Sequence, residues 1–194
     1  IYTLKRITTY FCDMSCSFCD LSSLQRGSTG ADMAVMGLRG NELGAYLTML
    51  LETHPKVRQV MFKDDLFFLR GKGRVRGTTT SPLMLEDLAT LKRVRESFKA
   101  RDGRDITYTG KARVDTFVDI HNLEVNEELL KATREAGFVS VSMGLESFDP
   151  IQLDYYNKRL GKNGPEVNRI ATRALRKIGI GSVGYFILAS DIST

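Results

Sequence analysis

The chain has no apolar run long enough to span a bilayer. Its longest apolar stretches, such as Val183 to Ala189, have the length of a strand, and no signal-peptide pattern is visible. Internal repeats, low-complexity tracts and long Pro- or Ser-rich linkers are missing, so nothing divides the 194 residues into separate units. Histidine is scarce, with His54 and His121 the whole complement. Cysteine is scarcer than a disulfide framework needs, with three residues in one short loop. A strong bias to one sign of charge is also lacking, the net charge being a mild +5. These absences speak against a helical membrane protein, a solenoid and a disulfide-stapled domain. What remains is 42% hydrophobic content, enough for one sizeable core.

The three cysteines run Cys12-Asp13-Met14-Ser15-Cys16-Ser17-Phe18-Cys19. Three thiolates cannot close a tetrahedral structural zinc site alone, but they can hold three corners of a cubane iron–sulfur cluster. The fourth iron then stays open to an exogenous ligand, which makes a reaction centre rather than an electron relay. A zinc knuckle would need His54 or His121 as fourth ligand, and both are remote, on a helix end and a loop. Oxygen-sensitive thiolate chemistry points to a reducing cytoplasm. One basic cluster, Arg70-Gly71-Lys72-Gly73-Arg74-Val75-Arg76-Gly77, reads as a solvated loop, with phosphate or RNA contact as its alternative.

Strand patterns cover Thr3–Thr9, Val57–Lys63, Asp105–Ala112, Phe138–Gly144 and Ser182–Ala189. Helical patterns cover Asn41–Thr53, Pro82–Ala100, Asn126–Ala136 and Glu166–Ile178. Pro82 behind Ser81 marks a helix start, and Gly137 and Gly179 mark stops. Strand–helix alternation of this length predicts parallel βα units. The strands' C-terminal ends then share one face, where ligands bind. The cysteine loop follows strand one, Asp64-Asp65 strand two, Arg113 strand three and Glu146 strand four.

The C-x3-C-x2-C loop, with Phe18 just before the third cysteine, resembles that of the radical S-adenosylmethionine (SAM) superfamily. Ala136-Gly137-Phe138 to Gly144-Leu145-Glu146-Ser147 resembles its helix-three to strand-four segment, and Gly184 to Ala189 its fifth-strand motif. The resemblance implies an α/β fold, a partial TIM-like parallel βα barrel, here truncated after the fifth strand. It implies an enzyme that uses a 4Fe–4S cluster on Cys12, Cys16 and Cys19 to cleave SAM into methionine and a 5′-deoxyadenosyl radical. Phe18 then packs near the adenine, and Asp64 and Asp65 stand where a Gly-Gly-Glu-like segment receives the SAM ammonium. Arg113 clamps the carboxylate or instead pairs with Asp115 or Glu146. Glu146 accepts from the ribose or amino-acid moiety, and Ile187 supplies an apolar contact to adenine. Lys158 and Arg159 read as surface cations that could neutralise the SAM carboxylate. No catalytic residue is assigned.

The Asp-Asp-x-Phe form after strand two is most like the cobalamin-associated branch, which includes methyltransferases and ring cyclases. Such proteins carry a cobalamin domain upstream, and none is present in residues 1–194, which read as a radical SAM core domain incomplete at its C-terminal end. Residue 1 is Ile, which suggests a piece of a longer polypeptide. Phe11 departs from the pattern, since many members have glycine before the first cysteine. The partners implied are a flavodoxin- or ferredoxin-type electron donor and a small-molecule substrate in preference to RNA, with no membrane. Alternatives are an iron–sulfur electron-transfer or sensing module, an RNA-modifying radical SAM enzyme, and a basic RNA-binding domain with a structural cluster.

Overall fold

In a computed structural model that describes residues 2–4, 16–19, 38–63, 67–68, 82–158 and 160–188, five parallel strands form one sheet. They are β1 (Tyr2–Leu4), β2 (Gln59–Phe62), β3 (Thr107–Ala112), β4 (Phe138–Glu146) and β5 (Gly181–Phe186). Their spatial order follows the chain, β1-β2-β3-β4-β5. A doubly wound sheet reverses direction at a switch point and takes helices on both faces. An unreversed order with right-handed crossovers winds every helix onto the same face, as in an opened TIM-like barrel. The fold is that partial barrel.

The helices are α1 (Gly40–Thr53), α2 (Pro82–Asp102), α3 (Glu127–Ala136), α4 (Pro150–Tyr155) and α5 (Gly164–Lys177). Leu88, Leu91, Val94 and Phe98 of α2 recur at helical spacing and are buried against the sheet. Asn126 caps α3 by accepting the Leu129 N–H at 3.0 Å, and Gly137 ends it at φ +104°, a conformation that favours glycine. The first two helices are clasped by a buried acid: Asp87 accepts the Gly40 N–H at 2.8 Å and pairs with Arg39 Nε at 3.1 Å. Beneath the sheet, Phe62, Phe67, Phe68, Phe117 and Phe138 form one aromatic cluster with centroids 4.4–5.4 Å apart between neighbours. Burial pushes the Tyr108 phenol, in the same core, well above its ordinary range. No helix among the described residues is long and apolar enough to cross a membrane.

Several boundaries differ from the sequence patterns. β4 runs two residues past Gly144, so Glu146 is its last residue rather than a follower. β5 stops at Phe186, which leaves Ile187 just beyond it, although the Ile187 N–H continues the ladder to the Glu146 carbonyl at 3.0 Å. β2 and β3 start two residues late, and α2 extends to Asp102 before Gly103 turns at φ +75°. Cys12, Asp64, Asp65, Arg159 and Ala189 lie outside the described residues, as does the Arg70–Gly77 cluster.

Candidate active site

Cys16 and Cys19 flank a tight turn in which the Cys19 N–H donates to the Cys16 carbonyl at 3.2 Å. The turn is tied to the segment after β4. The Ser17 N–H donates to the Tyr156 carbonyl at 3.0 Å, and the Ser17 hydroxyl to the Tyr155 carbonyl at 3.2 Å. Phe18 meets the Tyr156 ring edge to face, centroids 5.5 Å apart, and is itself 44% exposed. An edge contact leaves an aromatic face open for a planar partner.

Burial pushes the Cys16 thiol above its ordinary range, and the neighbouring Lys158 ammonium opposes that rise. Cys19 and Glu146 add to it, and Arg113 draws it back. Lys158, Glu146 and Arg113, all remote in sequence, therefore lie close enough to act on Cys16 electrostatically, alongside Cys19 of the same turn. A cluster held by thiolates is anionic, and a pocket with two cations facing the thiol suits that donor set. Cys16, Cys19, Lys158 and Arg113 fit such a group.

Glu146 takes φ +60°, uncommon for a residue with a side chain. The β4–β5 register shifts between Gly144 and Glu146, so the strand bulges there and re-aims the carboxylate. That carboxylate folds back over Gly144, where any Cβ would strike its Oε1. A side chain at 144 would have to push the carboxylate and the Lys158 ammonium aside. Lys158 Nζ donates to Glu146 Oε1 at 2.8 Å, and both residues are buried. Asn168 of α5 holds the bulge from behind: its Nδ2 donates to the Leu145 and Ser147 carbonyls, each at 2.9 Å. Both amide hydrogens are used, one on either side of Glu146.

Arg113 follows β3 directly and pairs with Asp115, Nε to Oδ1 at 2.9 Å, in the single-turn helix Val114–Thr116. Of the two salt-bridge partners expected for Arg113, Asp115 is the one found, and Glu146 is taken by Lys158. Lys158 is not a surface cation. Asn157 turns the chain at φ +51°, and the Lys158 N–H returns to the Leu153 carbonyl at 3.0 Å, which carries the side chain inward. Among the expected site residues, Cys16, Cys19, Phe18, Arg113 and Glu146 are gathered at the C-terminal ends of the strands. Ile187 reaches the site through its backbone bond to Glu146. Asn168 was not anticipated, because an Asn between Val167 and Arg169 in an amphipathic helix carries no signal of burial.

Residues 7–190 match the family model of the radical SAM superfamily. A curated relative from Pyrococcus horikoshii, named as an uncharacterized methyltransferase, is 27% identical over 184 residues. The match covers 94% of this chain and 32% of that protein. Among solved structures, the cobalamin-dependent SAM radical enzyme OxsB, with aqua-cobalamin and SAM bound, superposes at TM-score 0.68 and 20% identity. That superposition covers 99% of this chain and 24% of OxsB. The radical SAM methyltransferase TsrM from Kitasatospora setae, with cobalamin and a 4Fe–4S cluster bound, gives TM-score 0.59 at 13% identity, over 96% of this chain and 30% of its own. The chain spans about a third of the curated relative and a quarter or slightly more of these structures.

Proposed function

The chain belongs to the radical SAM superfamily, and we propose that it is the core of an enzyme holding a 4Fe–4S cluster on Cys12, Cys16 and Cys19 with SAM beside it. When bound, these groups supply one-electron cleavage of a sulfonium C–S bond, with the electron coming from a flavodoxin- or ferredoxin-type donor. The observation that carries this reading is the buried Glu146–Lys158 pair facing the Cys16 turn.

The protein's part is binding and orientation. Lys158 and Arg113 set a positive field beside the thiolates and toward a ligand carboxylate. Glu146 offers acceptor oxygens to hydroxyl or ammonium donors, and its bulge fixes where those oxygens lie. In the absence of ligand the two buried charges neutralise each other, which makes their desolvation tolerable. Phe18 presents an open ring for adenine, and Asp64 and Asp65 complete the acceptor set for the SAM ammonium. On the cobalamin-associated branch we infer methyl transfer to a small molecule, a reading supported by the methyltransferase names of the Pyrococcus relative and TsrM. A cytoplasmic setting and cobalamin held by polypeptide beyond these residues belong to the same proposal.

The test is anaerobic reconstitution followed by SAM titration of the reduced protein. Cys16→Ala or Cys19→Ala should abolish the cluster's absorbance and paramagnetic signal. Glu146→Gln and Lys158→Met should keep the cluster and weaken SAM binding by about 10-fold or more, the loss of one charge-assisted hydrogen bond. A reduced-cluster spectrum that SAM leaves unchanged would instead identify an electron-transfer module.

A further inference from the structure

We propose that Lys111, on the concave face of the sheet, binds an anionic group of the substrate, a carboxylate or a phosphate. Burial alternates along β3: Tyr108, Gly110 and Ala112 are buried toward the helices, whereas Thr107, Thr109 and Lys111 are half-buried on the opposite face. The register carries that face across the sheet, with Thr109 beside Ser140, Lys111 beside Ser142, and Gly144 beside Tyr185. The interior of a filled barrel is normally packed with branched apolar side chains. Thr109, Lys111, Ser140, Ser142 and Gly144 cannot make a dry core of that kind, because they are short, hydroxylated or charged. Met61, Val183 and Tyr185 share that face, so the polar positions form a strip along β3 and β4 that suits a polar ligand.

Charge decides the ligand class. Glu146 is engaged by Lys158 and Asp115 by Arg113. Among the described residues, the Lys111 ammonium has no hydrogen-bond or ion-pair partner. The Thr109 hydroxyl on the same face is buried and likewise unpartnered. A cation with hydroxyl neighbours and no counter-charge among the described residues is complementary to an anion, which it holds by charge-assisted hydrogen bonds. Lys111 stands one side-chain layer, about 7 Å, below the Gly144 position over which Glu146 and Lys158 meet. The polar strip thus lies directly beneath the position proposed for the cofactor, and calling its occupant a substrate rests on the function proposed above.

The experiment uses the reconstituted protein with SAM, titrated with inorganic phosphate and separately with acetate at constant ionic strength. Thermal shift and calorimetry are the readouts. At least one anion should bind saturably to the wild type and about 10-fold or more weakly to Lys111→Met and Lys111→Gln, the ratio expected for losing a charged hydrogen bond. Lys111→Arg should retain binding, and exposed Lys131→Met should not change it. Saturation by phosphate alone or by acetate alone identifies the anionic group. Equal titrations in the wild type and Lys111→Met, or no saturable response to either anion, overturn the proposal. SAM affinity is measured in the same samples. If SAM fails to bind while Lys111-dependent anion binding persists, the function proposed above falls and the anion site stands.

Discussion

Replacing Asn168 by Ala should cost about 1–3 kcal/mol of stability, the low end because the partnerless Asn168 Oδ1 goes with it, and weaken SAM binding as well. The magnitude follows from two hydrogen bonds of 2.9 Å, one to Leu145 and one to Ser147. Each contributes roughly 1 kcal/mol net. The Leu145 carbonyl keeps the Ser147 N–H, at 2.7 Å, but the Ser147 carbonyl loses this donor inside the protein. A buried acceptor left unsatisfied adds about 1–3 kcal/mol. Part of the loss returns as the left-handed Glu146 relaxes, a release of about 1–2 kcal/mol. That relaxation is the functional signature, because it moves the carboxylate that Asn168 positions. Asn168→Asp gives a second reading. Its carboxylate would face two carbonyl oxygens, so its folded-state pKa rises above the unfolded value. The protonated form is then the stabilising one, its contribution full below the unfolded pKa and lost as pH rises through the folded pKa. The deficit of Asn168→Asp against the wild type should therefore shrink between pH 7 and pH 4. Urea titration of the cluster-free protein measures the stabilities, and SAM titration of the reconstituted protein measures the affinity. A cost below about 0.5 kcal/mol with unchanged SAM affinity would refute the reasoning.

Other expectations address polar groups elsewhere in the fold as well as in the site. Lys158→Met alone leaves the Glu146 carboxylate buried without its cation and should cost about 3–5 kcal/mol, whereas Glu146→Gln with Lys158→Met should cost distinctly less; a denaturation double-mutant cycle compares them. Arg95 holds the Asp105 carboxyl below its usual range, so its contribution is present above the unfolded pKa near 4 and lost as pH falls through the lower folded value. Because that carboxylate is half exposed, the effect should stay under about 1 kcal/mol, and Asp105→Asn should flatten the acid limb of the stability curve by that amount. Among the described residues the buried Tyr156 hydroxyl has no hydrogen-bond partner, so Tyr156→Phe should be neutral or raise stability by up to about 1 kcal/mol in thermal melts.

Strand and helix identities were legible because the hydrophobic period switches cleanly from two to nearly four along the chain. Leu88, Leu91, Val94 and Phe98 announce a helix, just as Val60 and Phe62 announce half of a strand. The ends were less legible. Nothing in Leu145-Glu146 marks a bulge, since the backbone turns there under hydrogen bonds from Asn168, and that residue is remote in sequence. Glu146 and the cysteines were found through local motifs, which report chemistry and not packing. Lys158 was misread for a related reason. A lysine three residues past a short helix looks solvated unless the left-handed Asn157 is known to reverse the chain and bury it. The polar interior of β3 and β4 was present in the sequence as Thr-x-Thr-x-Lys and Ser-x-Ser, but its meaning depends on which side the helices cover.

The two hydrogen bonds from Ser17 make the cysteine turn and the segment ending at Lys158 one mechanical unit. If the chain holds a cluster and SAM as proposed, that shared unit couples the two, and each would raise the affinity of the other by the same factor. Under that proposal, a bound cofactor would also slow the opening of the cysteine turn, since the two share the Ser17 bonds.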